Sequence, residues 1–502
     1  MERGRKQKRA RHRKAHPAES CFPQQASVSQ SPDPMQLLRI LPCILLLARA
    51  FAADAPNLFI EGYAGQLSVA PGEVVTLHVS TSAPKFSVEI ARLGAKSEVV
   101  WSKKDLPGRE QPVPEDASSM GCHWPESVRI DIPKTWRSGY YNVRFHTEDR
   151  GGKYTQRSTR TAESSAFFIV RAAEPGKATP ILLQLCTNTY NAYNNWGGFS
   201  VYAYNGVGKN QGSRVSFDRP PASQFPRWEQ PFVEWAESHG YTLDYAANSD
   251  LEFHPELLAH YKLVLSVGHD EYWSAPMRDA LEAFIGKGGN VAFFSGNSVC
   301  WQVRSEDEGR ALTCYKQHYF VDPIFQTGDL RTLSTAWSHH LVKRPENQLT
   351  GVGFLWGGYR MSHGQFMDEP AEYTVHRPDH WVFAGTGLKR DDKFGGKDTI
   401  VGYECDGCEL AWKDGLPEPT HRDGTPDTFT VLSTCPARWH PDDCEWYDRW
   451  EKGRTGAACL GVYTRGGTVF TTGSTDWAHG LRGGDKAVEQ ITRNVLDRLS
   501  GR

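Results

Sequence analysis

From residue 181 onward, strand-length apolar runs alternate with helical segments. ILLQLC (181–186), KLVLSVG (262–268) and NVAFFSG (290–296) each hold enough consecutive apolar residues for a strand buried on both faces. Between them, QPFVEWAESHG places Phe232, Trp235 and Ala236 at helical spacing. APMRDALEAFIGKGG aligns Met277, Leu281, Phe284 and Ile285 and ends in glycine. TLDYAA, HPELLAHY and a closing GTVFTTG followed by Val488, Ile491, Val495 and Leu499 repeat the theme. Such alternation commits a chain to a parallel, doubly wound sheet. Residues 305–465 are less regular, with strands expected at GFLWGGY, HWVFAG and TIVGYEC. They read as a β-rich insertion that supplies loops to an α/β domain over 178–502.

Residues 57–172 follow period two instead. Val75, Leu77 and Val79, then Phe86, Val88 and Ile90, then Val128, Ile130 and Ile132 alternate with polar neighbours. With YYNVRF and AFFIVRA they make six or seven short strands, the pattern of an immunoglobulin-like β-sandwich lacking the antibody Cys–Trp–Cys framework. AAEPGKATP (172–180) reads as a linker. A chain of 502 residues with 39% hydrophobic and 23% charged residues can build these cores, which excludes whole-chain disorder. The net charge of −2 hides an asymmetry: residues 1–52 carry 10 Lys and Arg against 3 Asp and Glu. The remaining body is mildly acidic, a poor match to nucleic acid.

The basic run at the N-terminus precedes a better start. From Met35, a short segment with Arg39, an apolar stretch over Ile40–Leu47 and small residues at Ala50, Ala52 and Ala53 have the layout of a secretory signal. Residues 1–34 then read as untranslated, 35–52 as the signal, and the mature chain as exported, periplasmic or secreted. The apolar stretch is shorter than the roughly 20 residues that span a bilayer, so no membrane span is expected. Nine cysteines follow residue 52. Cys405-Asp-Gly-Cys408 has half of a zinc-site spacing and no second half, so structural or disulfide-bonded cysteines are expected rather than zinc.

In an open α/β sheet, ligands bind beyond the carboxyl ends of the strands, at the switch point. The three segments placed there are CTNTYNAYNNWGG, GHDEYW and SGNSVCW. His269 and Glu271 are two apart, so an extended loop points both to one side, where they can ligate a metal or share proton work. The competing reading makes Asp270 and Glu271 the acidic start of a helix near Ser274. Tyr190 and Tyr193 follow the first strand. Two phenolates and a carboxylate would suit ferric iron on hard–soft grounds, although aromatic residues beside a Gly-Gly turn ordinarily pack. Trp196, Trp273 and Trp301 follow the three loops and are expected to wall a pocket.

NTYNAYNNWGG, SVGHDEYWSAPMRDALEAFIGKGGNVAFFSGNSVCWQVR, HWVFAGTGL, IVGYECDG and ITRNVLDRL resemble the large (beta) subunit of the N,N-dimethylformamidase family over about residues 57–502. The resemblance implies a glutamine-amidotransferase-like, flavodoxin-like core and a mononuclear Fe³⁺ held by two tyrosines and a glutamate. Carried over by motif, Tyr190 and Glu271 become ligands, with His269 and Asn297 beside the metal. WRSGYYNVRF resembles the family segment that brings the second tyrosine from the sandwich. Tyr140 and Tyr141 compete for that role, and strand alternation sets Tyr141 on the apolar face with Val143 and Phe145; Tyr193 is the local alternative. Glu404, in GYECDG, resembles a further acidic residue near the family site, unless its neighbour Tyr403 is the inward one.

The implied chemistry is hydrolysis of a small amide to an acid and an amine. Fe³⁺ would act as Lewis acid, His269 as proton carrier, and Asn297 would hydrogen-bond the oxyanion or orient the water. The family's large subunit works with a small subunit, so such a partner, or self-association, is expected. Two other readings compete. A cysteine-dependent amidotransferase would need a thiol in the turn that holds His269-Asp270-Glu271. A non-enzymatic carbohydrate- or cell-wall-binding protein would use the same scaffold as an aromatic platform.

Overall fold

The computed structural model describes residues 57–150, 159–362, 365–367, 370–439 and 455–502. The segment read as an export signal, and Cys444, lie outside them. The described residues belong to one compact unit that runs from Pro56 to Arg502.

The alternating residues of the N-terminal part build two sheets on one core. Ile60–Ala64, Val74–Thr81 and Val128–Asp131 form a three-stranded antiparallel sheet. Ser68–Val69, Thr159–Val170, Gly139–Arg150, Lys85–Leu93 and Ser97–Pro107 form a five-stranded sheet in that order. Val75, Leu77 and Val79 meet Val88, Ile90, Val143 and Phe145 between them, all buried. Removing each such side chain from water contributes about 1.5–3 kcal/mol before ordering costs.

The second part is a nine-stranded sheet. Asp244–Ala247, Ile181–Leu185, Leu263–His269, Asn290–Gly296 and Gly467–Thr471 are parallel neighbours. Counted along the chain their order is 2-1-3-4-5, so the connections reverse between the first and third strands, the place where doubly wound sheets bind ligands. Leu183, Leu185, Leu265 and Val267 face helices Glu229–Ser238 and Lys486–Ser500 on one side. Leu182 and Val264 face helix Ala275–Gly286 on the other. Both faces are therefore covered, which is why these strands read as unbroken apolar runs.

Four antiparallel strands continue the same sheet: Thr455–Arg465, Thr430–Arg438, Tyr373–Val375 and Lys393–Phe394. The irregular region thus extends the sheet as well as supplying loops. GFLWGGY is a strand as expected, Gly353–Gly358. HWVFAG is instead a 3-10 turn at Trp381–Phe383, and in TIVGYEC only Cys405 enters a strand, Cys405–Gly407. The eight described cysteines are buried free thiols. Among the described residues no helix is long and apolar enough to cross a membrane.

Candidate active site

The site forms where the first and third parallel strands end. His269 is the last residue of Leu263–His269, and Gly268 before it has φ +84°, where a Cβ would sit 2.3 Å from the Cβ of Trp228. Glycine there lets Trp228 close against the imidazole at 5.2 Å between ring centres. Asp270 and Glu271 do not open a helix. Tyr272–Ser274 is a short strand paired with Trp301–Glu306, and the helix cap is Ser274, whose hydroxyl accepts from the Met277 N–H. Asp270 turns inward to Gln184, Ser266 and Asn248, which leaves Glu271 as the carboxylate of the centre.

Four side chains converge on that carboxylate. Tyr193 donates to Oε2 at 3.0 Å, Tyr202 lies 3.0 Å from both oxygens, and the Trp301 indole donates to Oε1 at 2.8 Å. His269 Nε2 stands 3.3 Å from Glu271 and 2.7 Å from Glu404. Asn297 Nδ2 donates to Glu404 at 3.2 Å. Around them, Tyr272 donates to the Tyr202 hydroxyl at 2.7 Å, and Lys316 Nζ lies 3.0 Å from the Tyr272 hydroxyl and 3.3 Å from the centre of the Tyr202 ring. His269, Glu271, Asn297 and Glu404 are each at most 4% exposed.

The backbone behind Asn297 is held in a constrained turn. Asn297 and Val299 have φ of +48° and +57°, costly for a β-branched residue. Asp406 supports the turn by accepting the N–H groups of Asn297 and Ser298, each at 3.0 Å. Gly296 allows the close approach: a Cβ there would lie 2.5 Å from the Thr475 nitrogen and 2.6 Å from the Glu404 carbonyl. Strand end, turn and Glu404 are thereby locked together.

Charge is concentrated and shielded from water. Burial disfavours the imidazolium, but Glu404 and Glu271 outweigh it and raise His269 to about 10. Burial also opposes the charge on Glu271, yet His269 and Lys316 hold its carboxyl below the ordinary range. Tyr193, Tyr202 and Tyr272 are pushed well above a free phenol by burial and by Glu271. Two buried atoms of these residues lack a hydrogen-bond partner, Nδ1 of His269, whose Nε2 faces the carboxylates, and Oδ1 of Asn297.

The residues expected from the sequence divide cleanly. His269, Glu271, Asn297 and Glu404 come together. Tyr141 and Tyr190 do not join them. Tyr141 is in the sandwich core, stacked 5.0 Å from Trp136, and its hydroxyl donates to the Arg137 carbonyl at 2.6 Å. That bond to a carbonyl four residues upstream is the kind β-sandwiches make at a strand corner. Tyr140 points the other way, to Ser223 at 2.9 Å. Tyr190 packs against Phe167 and donates to the buried carboxyl of Glu229. Helix Thr187–Tyr193 turns Tyr190 to the hydrophobic side and Tyr193 to the centre.

Tyr202, Tyr272 and Lys316 were not legible from the sequence as members of the site. The nearest signal was the aromatic spacing of VYAYNG, directly after the first site loop. Of the three tryptophans, Trp301 reaches the centre, Trp273 is buried under helix Ala275–Gly286, and Trp196 bonds Glu61 of the sandwich. Glu404 and Tyr403 both approach: the Tyr403 ring is 5.7 Å from His269. Cys186 and Cys300 are pushed well above the ordinary thiol range by burial, the reverse of an activated nucleophile.

Among the described residues no three His, Cys, Asp or Glu side chains cluster as metal ligands. An ion here would have to take phenolic oxygen. Tyr193, Tyr202 and Glu271 offer such a set: two half-buried phenols on one buried carboxylate, three hard oxygen donors in all, with phenols that could ionise only against a strong positive charge. The donor chemistry fits a ferric ion.

Residues 87–491 match the family model described as N,N-dimethylformamidase beta subunit-like, C-terminal. The chain is 23% identical over 441 residues to the N,N-dimethylformamidase beta subunit of an Alcaligenes species, covering 75% of this chain and 54% of that protein. It is 23% identical over 438 residues to the same-named protein of Paracoccus aminophilus, with the same shares covered. The chain therefore spans about half the length of the curated relatives it matches.

Proposed function

The chain belongs to the N,N-dimethylformamidase beta subunit-like family, and from that premise we propose that it hydrolyses a small carboxamide at a mononuclear ferric centre held by Tyr193, Tyr202 and Glu271. The observation that carries the reading is the convergence of two half-buried phenols on one buried carboxylate, with a histidine–glutamate pair beside it. When bound there, ferric iron supplies Lewis acidity toward an amide carbonyl and a water molecule.

The chain's own groups supply the rest. His269, bridged to Glu404, holds a proton that can pass to a departing amine, and Glu404 keeps the imidazole oriented while it does so. Asn297, fixed by the Asp406-supported turn, presents an amide whose oxygen is unpartnered and can take a hydrogen bond from water. Lys316 balances the excess of negative charge without occupying a ligand position. Trp228 and Trp301 exclude bulk water, which strengthens each of these interactions.

The proposal extends to export through residues 35–52 and to a small-subunit partner or self-association. Metal analysis and absorption of the purified protein, with amide hydrolysis followed by amine release, test the central claim. One iron per chain with a visible phenolate-to-iron band is expected. A colourless, metal-free protein with carbohydrate affinity would overturn it in favour of the binding reading.

A further inference from the structure

The rim of the centre carries a cation that the chemistry above does not use. His269, Trp228 and Tyr403 form a triangle of rings with centres 5.2, 5.7 and 5.9 Å apart. Outside it lies Arg227, exposed, its guanidinium carbon 4.3 Å from the Trp228 ring centre and 5.0 Å from that of Tyr403. Asp476 locks the two aromatic residues: one carboxylate oxygen accepts from the Trp228 indole and the other from the Tyr403 N–H, both at 2.8 Å. The aspartate is consumed by those bonds and buried, so it does not neutralise Arg227. No carboxylate pairs with Arg227 among the described residues. A second guanidinium, Arg482, reaches the Pro226 carbonyl at 3.5 Å, so the rim beside Arg227 is doubly cationic. Tyr204, 70% exposed, lies 5.5 Å from the Tyr202 ring, and the charges of Glu271 and Glu404 reach its phenol.

An arginine stacked on two aromatic faces loses little freedom when it binds, and its N–H edge remains free for a planar anion. The interior behind it has its own cations engaged, His269 by Glu404 and Glu271, and Lys316 by the charge on Glu271, so it offers such an anion no partner. A ligand satisfying both regions has a neutral reacting end and an anionic tail, joined by a short link.

We propose that Arg227 binds the carboxylate of an amide substrate, so that the substrate class is a short N-acyl amino acid or a similar carboxylate-bearing amide. The inference rests on the hydrolase reading for what happens to the amide, but the anion site stands on its own geometry. The nitrogen-side substituent that carries the carboxylate lies at the rim, and the acyl carbon goes inward past Tyr403 toward His269.

The test compares N-formylglycine with its neutral counterpart N-propylformamide on the full iron-containing chain, its Arg227→Ala variant and its Arg227→Lys variant. The wild type should prefer N-formylglycine. In Arg227→Ala the kcat/KM ratio of the anionic over the neutral amide should fall about 10-fold or more, through KM, as expected for losing a charge-assisted pair. Arg227→Lys should retain part of the preference. A ratio unchanged in Arg227→Ala, or equal losses on both amides, would overturn the proposal and leave Arg227 as packing for Trp228 and Tyr403. Calorimetry separates the two claims if neither amide is turned over. Binding of N-formylglycine that Arg227→Ala abolishes would keep the anion site and remove the hydrolase reading. No binding to the wild type would overturn the anion site.

Discussion

Two groups of tyrosines, one in the sandwich and one at the strand ends, differ in what their hydroxyls meet. In the sandwich, Tyr141 stacks with Trp136 and Phe168 and gives its proton to a backbone carbonyl. At the strand ends, Tyr193 and Tyr202 give theirs to a carboxylate that already faces an imidazole and an ammonium group. Burial raises the phenol in both places. A carbonyl partner satisfies the hydroxyl and ends the matter, while a shared carboxylate leaves several oxygens converging with surplus negative charge. Neither burial nor a carboxylate partner alone sets a tyrosine apart, since Tyr190 also donates to one, that of Glu229; what distinguishes Tyr193 and Tyr202 is that both converge on the same carboxylate.

The largest effect should come from Glu271. Glu271→Gln removes the acceptor that gathers Tyr193, Tyr202, Trp301 and His269. Iron content should fall to background, and amide hydrolysis should drop by at least about 100-fold, given what even outer-shell changes cost at metal sites. Full iron occupancy, measured by elemental analysis, would show that the carboxylate is not a ligand. Next comes the contrast between phenols. Tyr202→Phe and Tyr193→Phe should each lower iron occupancy and weaken the phenolate absorption, whereas Tyr190→Phe should leave both intact. Loss of the band in Tyr190→Phe alone would reverse the assignment.

The strands were legible because their periodicity is a direct consequence of which faces are covered. Leu182 and Leu183 face opposite helical layers, so the whole run is apolar. His269 and Glu271 were legible because they follow such a run immediately, and Asn297 was carried over by the resemblance from the loop after the next one. Glu404 came only through the resemblance. Tyr202 and Lys316 were not, since nothing local marks a residue that reaches the centre through a loop of 3-10 turns or from a left-handed position such as Lys316, φ +54°. Tyr141, expected at the centre, lies apart from it for a related reason. Strand alternation identifies the inward face correctly, but the inside of a sandwich is its own core and not the neighbouring centre.

A smaller effect concerns pH. Burial raises the Glu229 carboxyl to about 7, against the hydrogen bond from Tyr190 that favours its charge. Its folded value lies above the unfolded one, so the folded state holds an extra proton between about pH 4.5 and 7. Its contribution to stability is fullest below that window and is lost as pH rises through it. Glu346, raised to about 8, and Asp406, raised to about 7, act in the same direction. Glu229→Gln should make the decline in stability from pH 5 to pH 8 shallower by about 1–3 kcal/mol in urea unfolding. An unchanged slope would mean that the carboxyl titrates at its ordinary value.

The smallest effect returns to the sandwich. Tyr141→Phe removes one neutral hydrogen bond to the Arg137 carbonyl and keeps the ring between Trp136 and Phe168. The loss should be about 1 kcal/mol, a shift of about 1–2 °C in Tm for a chain of this size. The Arg137 carbonyl belongs to the segment before the Gly139–Arg150 strand, where Arg137 itself is exposed and pairs with Glu98 at 2.8 Å, so water can replace the lost donor and limit the damage. Iron content and absorption should be identical to the wild type, because no atom of Tyr141 contacts the Glu271 centre. A loss of iron greater than the loss of folded protein would place this phenol at the metal, and the distinction between the two sets of tyrosines would fall.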